Sequence, residues 1–135
     1  MASLNRATLI GYVGADPEVR DVNDGKTVAR LRIATNQRWT DQNGEKHERT
    51  DWHTVVVWGQ PAQFCRDYVR KGHALYVEGP IHVRAWDDKD GVKRYATEIV
   101  ARNLQLLDRK EESPPPPEEA PADDPVGDIW PELKN

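Results

Sequence analysis

The strongest constraint on this chain is a period-two rhythm that is interrupted only once. In residues 27–36, Ala29, Leu31 and Ile33 alternate with Arg30 and Arg32, as in a strand with one buried face. Residues 6–13 and 50–58 predict two more strands, the latter with Val55 and Val57 opposite Thr54, Val56 and Trp58. Residues 74–86 predict a long fourth strand, with Leu75, Val77, Ile81 and Val83 facing one way and Tyr76, Glu78, His82, Arg84 and Trp86 the other. Residues 94–104 predict a fifth. Asp24-Gly25, Asn43-Gly44 and Asp90-Gly91 mark turns between them. The interruption follows Trp58. From Gln60-Pro61 onward, Ala62, Cys65 and Val69 recur at helical spacing. Pro61 suits a first helical turn and Gly72 a C-terminal stop.

Five strands with one helix between the third and fourth is the order of the OB barrel, so the expected fold is an all-β, five-stranded barrel of that kind. A length of 135 residues allows one such domain and a tail. The net charge of −4 hides two regions of opposite sign. Lys and Arg exceed Asp and Glu by 3 in residues 1–110, whereas residues 111–135 carry a net −7 and seven of the ten prolines. The expected division is a barrel over residues 1–109 and a disordered, acidic, proline-rich tail over 110–135. A weakly basic body is able to bind a polyanion although the whole chain is acidic.

Tryptophan, normally the rarest aromatic, outnumbers tyrosine five to four, and phenylalanine occurs once. Trp52 and Trp58 are six residues apart and share the strand face opposite Val55 and Val57. Trp86 shares a face with Arg84 and His82, and Trp39 follows Arg38 at the start of a polar loop. Flat rings among basic residues suit base stacking, which is sequence-tolerant because every base has a π-face. Nearby Arg and Lys suit phosphates, and strand alternation adds Arg30 and Arg32 to that set.

Several runs make a resemblance plain. They are Gly11-Tyr-Val-Gly14 with Asp16-Pro-Glu-Val-Arg20, Val28 to Thr35, Thr50-Asp-Trp-His-Thr-Val-Val-Val-Trp-Gly59, Tyr68-Val-Arg-Lys-Gly72, Tyr76-Val-Glu-Gly79, and Arg84-Ala-Trp86 leading to Arg94-Tyr-Ala-Thr-Glu-Ile-Val100. In this order, over residues 3–107, the chain resembles the bacterial single-stranded DNA-binding protein family. The resemblance implies stacking roles for Trp39, Trp52, Trp58 and Trp86, with Trp58 where many relatives carry phenylalanine. It implies phosphate contacts at Lys71, Arg84 and Arg94, with Arg6 and Arg20 beside them, and a subunit interface at His53. Thr54 and Gln60 stand where some relatives are basic. The implied function is sequence-independent binding of single-stranded DNA, protecting it and removing secondary structure in replication, recombination and repair. A homotetramer in the cytoplasm, associated with the nucleoid, is implied as well.

The tail departs from the family pattern. Relatives usually end in aspartates followed by Ile-Pro-Phe or Leu-Pro-Phe, a tip that docks replication and repair proteins. This chain has Asp123-Asp124, then Asp128-Ile129-Trp130-Pro131, and continues Glu132-Leu133-Lys134-Asn135. Two readings of this tail stand side by side: Trp130 beside Ile129, after the acids, as a substitute anchor for such partners, or a solvated acidic tail without partners.

No catalytic residue, metal site or cofactor is expected. His-x-x-x-His, His-Glu-x-x-His, Gly-x-Ser-x-Gly and the phosphate-binding Gly-x-x-x-x-Gly-Lys loop do not occur. The single Cys65 lies among apolar helix positions and reads as packing. No apolar run reaches the roughly 18 residues that a membrane helix needs. The competing function is an OB-fold replication-restart adaptor or protein-interaction module, which would not need the tryptophan set. RNA binding is a further alternative, because nothing here reads a 2′-hydroxyl.

Overall fold

A computed structural model describes residues 2–22 and 25–107. Among these residues the elements are β1 (Ala7–Val13), β2 (Glu18–Val22), β3 (Lys26–Thr40), β4 (Lys46–Trp58), α1 (Gln60–Tyr68), β5 (Ala74–Gly79), β6 (Ile81–Asp87), β7 (Lys93–Val100) and β8 (Asn103–Leu106). The strands run in the order β6-β7-β4-β3-β1-β5-β8, and β2 also pairs with β3. All pairs are antiparallel except β4 with β7, where Thr54 to Val56 lie opposite Glu98 to Val100.

The sheet closes because β5 and β6 are consecutive in the chain, separated only by Pro80. β5 is bonded to β1 and β6 to β7, so the path returns on itself. The Val100 N–H donates to the Pro80 carbonyl at 3.0 Å and the Arg102 N–H to the Glu78 carbonyl at 2.8 Å, which seals the seam. Backbones approach so closely here that a Cβ at Gly79 would overlap the Val100 carbonyl oxygen.

The core lies inside this closure. Val13, Leu31, Ile33, Val55, Val57, Leu75 and Val77 are fully buried, and Ala62, Cys65 and Val69 complete the cluster from the helical segment. Helix α1 has Pro at its start, where a missing N–H costs nothing, and it plugs the barrel with its Ala62 and Cys65 face.

The expected OB order holds, and several expected boundaries change. The second and third strands are longer than residues 27–36 and 50–58, because the polar run 37–49 is a continued hairpin and not a loop. The stretch Glu18–Val22 is a strand of its own on β3. The long fourth strand divides at Pro80, which has no N–H for a ladder. Beyond it the hairpin β6–β7 projects from the barrel, so Ile81 and Val83, expected in the core with Leu75 and Val77, are exposed. The expected fifth strand is two, β7 and β8. The barrel boundary expected at residues 109 and 110 lies outside the described residues.

Burial pushes the Cys65 thiol up from its ordinary 9.0 to about 11. Above pH 9 the unfolded chain therefore loses this proton before the folded chain does, and stability falls as pH rises through that window. The expected contribution is at most about 1.4 kcal/mol per pH unit. Urea unfolding of the parent and of Cys65→Ala between neutral pH and pH 11 checks this, and identical pH slopes for the two proteins would contradict it.

Candidate nucleic-acid interface

Residues directly opposite in a ladder point to the same side of the sheet, so the register shows which side chains share a surface. Arg20 lies opposite Val28, and Val28 opposite Trp58. In the next row Glu18, Arg30 and Val56 follow one another, and then Arg32, Thr54, Glu98 and His82. Trp52 lies opposite Ala34, and Trp86 opposite Arg94. Trp52, Trp58, Trp86, Arg84 and Arg94 are thus on one continuous face across β4, β7 and β6. All three rings are partly exposed.

This face holds its rings rigidly. A Cβ on Gly14 would overlap the outer edge of the six-membered ring of Trp52, so the indole packs against bare backbone there. The Gly14 N–H donates to the Arg32 carbonyl at 2.9 Å, which fixes that backbone to β3. The guanidinium carbon of Arg84 lies 5.7 Å from the Trp86 ring centroid, a cation–π contact. Arg84 is itself held by both oxygens of Glu98, Nε at 2.8 Å and Nη2 at 2.9 Å. Glu98 is 1% exposed, so a buried carboxylate anchors a cation at the surface, which in turn anchors a ring.

The expected cations fall into distinct settings. Arg30, assigned by alternation to the solvent side, is instead 4% exposed and its guanidinium donates to Glu18 at 3.0 Å. β2, which alternation did not reveal, pairs beside β3 and sets Glu18 against Arg30. Arg32 donates to Thr54 Oγ1 at 2.7 Å and is half-buried. Arg94 is exposed and donates to Asp88 at 2.9 Å. The Val92 N–H, then Arg94 and the Asp90 N–H, hold the Asp88 carboxyl below its ordinary range. Lys71 is exposed and its backbone N–H donates to Asp16 at 2.9 Å, at the end of the barrel where Gly14 and Trp52 meet. Arg20 is exposed in the Trp58 row. Arg6 stands apart, near Tyr76 and Glu78 of β5, whose mutual hydrogen bond raises the Tyr76 pKa and lowers that of Glu78, the Arg6 charge acting downward on both.

Trp39 is not on the face that carries Trp52. It lies opposite His47 near the tip of the β3–β4 hairpin, on the other side of that ribbon, and is 43% exposed. His53 also points to that other side. It shares a 2.9 Å hydrogen bond with Thr35 Oγ1 and lines a cleft of about 480 Å³ with Leu9, Ile81 and Ile99. Burial lowers its pKa and the Arg32 charge adds to this, against an opposing effect of Asp51. Asp123, Asp124, Asp128, Ile129 and Trp130 lie outside the described residues.

Sequence reasoning did not single out Glu98 or Gly14. Glu98 was legible only as an acid alternating with Ala96 and Arg94, and its burial depends on three strands meeting. The donor atoms of Asp41, Glu45 and His47 lie within 4.8 Å of one another. The Asp41 carboxylate is occupied by His47 and by the Asn43 and Glu45 N–H groups, so this group reads as a turn and not as a metal centre.

The profile of the single-strand binding protein family matches residues 4–107. The chain belongs to the single-strand binding protein family. Curated members resemble it closely. A "Single-stranded DNA-binding protein 1" of Xylella fastidiosa is 44% identical over 114 residues, 84% of each chain. A "Single-stranded DNA-binding protein" of Rhizobium meliloti is 50% identical over 112 residues, 78% of this chain and 64% of that one. Among solved structures, the Plasmodium falciparum "SSB complex with ssDNA" superposes with a TM-score of 0.75 at 37% identity, covering 80% of this chain and 98% of that one. A deletion mutant of the single-stranded DNA binding protein from Thermus aquaticus gives 0.69 at 31% identity, with coverage of 79% and 52%. No helix among the described residues is long and apolar enough to cross a membrane.

Within this family member, Glu98→Ala leaves the Arg84 guanidinium, 14% exposed, without its carboxylate. Removing one partner of a buried pair is strongly destabilising, and a loss of about 3 kcal/mol is expected in urea unfolding. A loss below about 1 kcal/mol would show that Arg84 finds solvent or another partner.

Proposed function

We propose that this protein binds single-stranded DNA without sequence preference, by stacking bases on Trp52, Trp58 and Trp86, and on Trp39 at the hairpin tip. Phosphates are neutralised by Arg84, Arg94, Lys71 and Arg20, with weaker parts for Arg6 and Arg32. Arg30 is left out because its charge is covered. The observation that carries this reading is the single ladder-defined face joining three tryptophans to Arg84 and Arg94. Stacking and phosphate charge are both tolerant of sequence, so sequence discrimination is not expected. The family's replication, recombination and repair roles follow from coating exposed strands.

The test is titration with poly(dT), followed by tryptophan fluorescence. Strong quenching is expected. Trp52→Ala or Trp86→Ala should weaken binding by about fivefold to a hundredfold, the range for one stacked base on single-strand binders, this family among them. If both variants bind like the parent, the stacking assignment fails. A protein-interaction module, the competing reading, would show little quenching.

The assembly proposed is a homotetramer, with His53 near a subunit contact. Exposed Ile10 on β1, 63% accessible, favours a further covering surface, and several linked sites raise avidity for a long strand. Sedimentation equilibrium tests the stoichiometry.

Residues 111–135, with net charge −7, are assigned to partner recruitment through Asp123, Asp124, Asp128, Ile129 and Trp130, in a cytoplasmic, nucleoid-associated protein. Removing them should leave DNA affinity unchanged or raise it, since an anionic competitor is lost. A large loss of affinity in the same titration would overturn the division of labour between body and tail.

A further inference from the structure

The β3–β4 hairpin holds an arrangement that neither stacking nor phosphate contact explains. Trp39 and His47 are directly opposed across the ladder, and their rings stack with centroids 5.3 Å apart and planes 20° from parallel. His47 Nε2 lies 2.8 Å from Asp41 Oδ2. The other oxygen, Oδ1, accepts the N–H groups of Asn43 and Glu45, each at 2.9 Å. The His47 hydrogen bond, then the Glu45 N–H, keep the Asp41 carboxyl below its ordinary range. The turn therefore fixes Asp41, Asp41 fixes the imidazole, and the imidazole covers one face of the indole. The next rung is pinned on the opposite side by Arg38 and Glu48 at 3.5 Å.

We propose that His47, held by Asp41, is a positioning residue for Trp39, which it pre-orients for stacking on a nucleic-acid base. This rests on the reading of Trp39 as a stacking residue. An indole at a hairpin tip has no core to hold it, and ordering it at the moment of binding would cost affinity. A ring already stacked beneath it removes most of that cost while the indole stays 43% exposed. A groove of about 440 Å³ is lined by this pair and, from the ribbon's other side, by Arg38 and Lys46.

The test is oligo(dT) affinity for the full chain in four forms: parent, His47→Ala, Trp39→Ala and both together. The pair lies outside the core, so thermal unfolding should not change. His47→Ala should weaken binding about twofold to tenfold, with the dependence of affinity on salt unaltered because no phosphate contact is lost. In the Trp39→Ala background, His47→Ala should have no further effect. His47→Phe and Asp41→Ala each keep a flat ring beside Trp39 but lose the Asp41–His47 bond, so both should bind between the parent and His47→Ala. Equal losses in both backgrounds, or a shallower salt dependence, would make His47 an independent DNA contact and overturn the proposal. So would a weakened Trp39→Ala beside an unaffected His47→Ala. If Trp39→Ala itself binds like the parent, the stacking role of Trp39 fails and the proposal fails with it.

Discussion

The rest of the structure depends on the β3–β4 ladder. It runs without a break from Val28 opposite Trp58 to Thr40 opposite Lys46. Because side chains alternate along it, one register choice decides both what is buried and what is displayed. A slip of β4 by one residue against β3 would move Val55 and Val57 out of the core and turn Trp52 and Trp58 into it. Burial of the aliphatic set thus specifies the aromatic face. The barrel half of the ladder is held by packing. The free half is held by cross-strand pairs, of which Trp39 with His47 is the aromatic one.

The interface is less simply basic than a count of arginines implies. Arg30 meets Glu18, Arg84 meets Glu98 and Arg94 meets Asp88. Each acid holds a cation in place and reduces its net attraction for an anion. These pairs differ in how they would respond to a phosphate. The exposed Arg94 pair is weak and open to exchange. The Arg84 pair is buried enough that its carboxylate stays, so the proposed function gives Arg84 the part of an oriented hydrogen-bond donor and of a cap on Trp86.

Much of this was legible in the residues, and the failures share one cause. The alternation of 29, 31 and 33 with 30 and 32, and the helical spacing of 62, 65 and 69, found the barrel strands and α1. The pairing of Trp52 with Trp58 on one side followed from parity alone. What alternation does not reveal is which side chains flank a residue from the neighbouring strands. Arg30 reads as solvent-facing until β2 pairs beside β3 and sets Glu18 against it, and Glu98 reads as a surface acid until Arg84 and Thr54 close around it. Ile81 and Val83 read as core by parity with Leu75 and Val77. Pro80 ends the ladder between them, and everything beyond it answers to a different neighbour. Trp39 apart, the run 37–49 is polar on both sides, so its ribbon carries no repeating hydrophobic pattern by which it could have been distinguished from a loop.

The division at Pro80 also sets a scale. The barrel is one body, and two ribbons extend from it, β6–β7 beyond the proline and the outer half of β3–β4. The six residues Thr35 to Thr40 reach about 20 Å at the rise of a strand. The distance over which aromatic rings are offered is therefore set by the length of these arms and not by the girth of the barrel. Hairpin tips tolerate insertion and deletion better than a core does. The length of strand that one chain spans is in this sense an adjustable dimension, open to change by two residues at a time without repacking a single buried side chain.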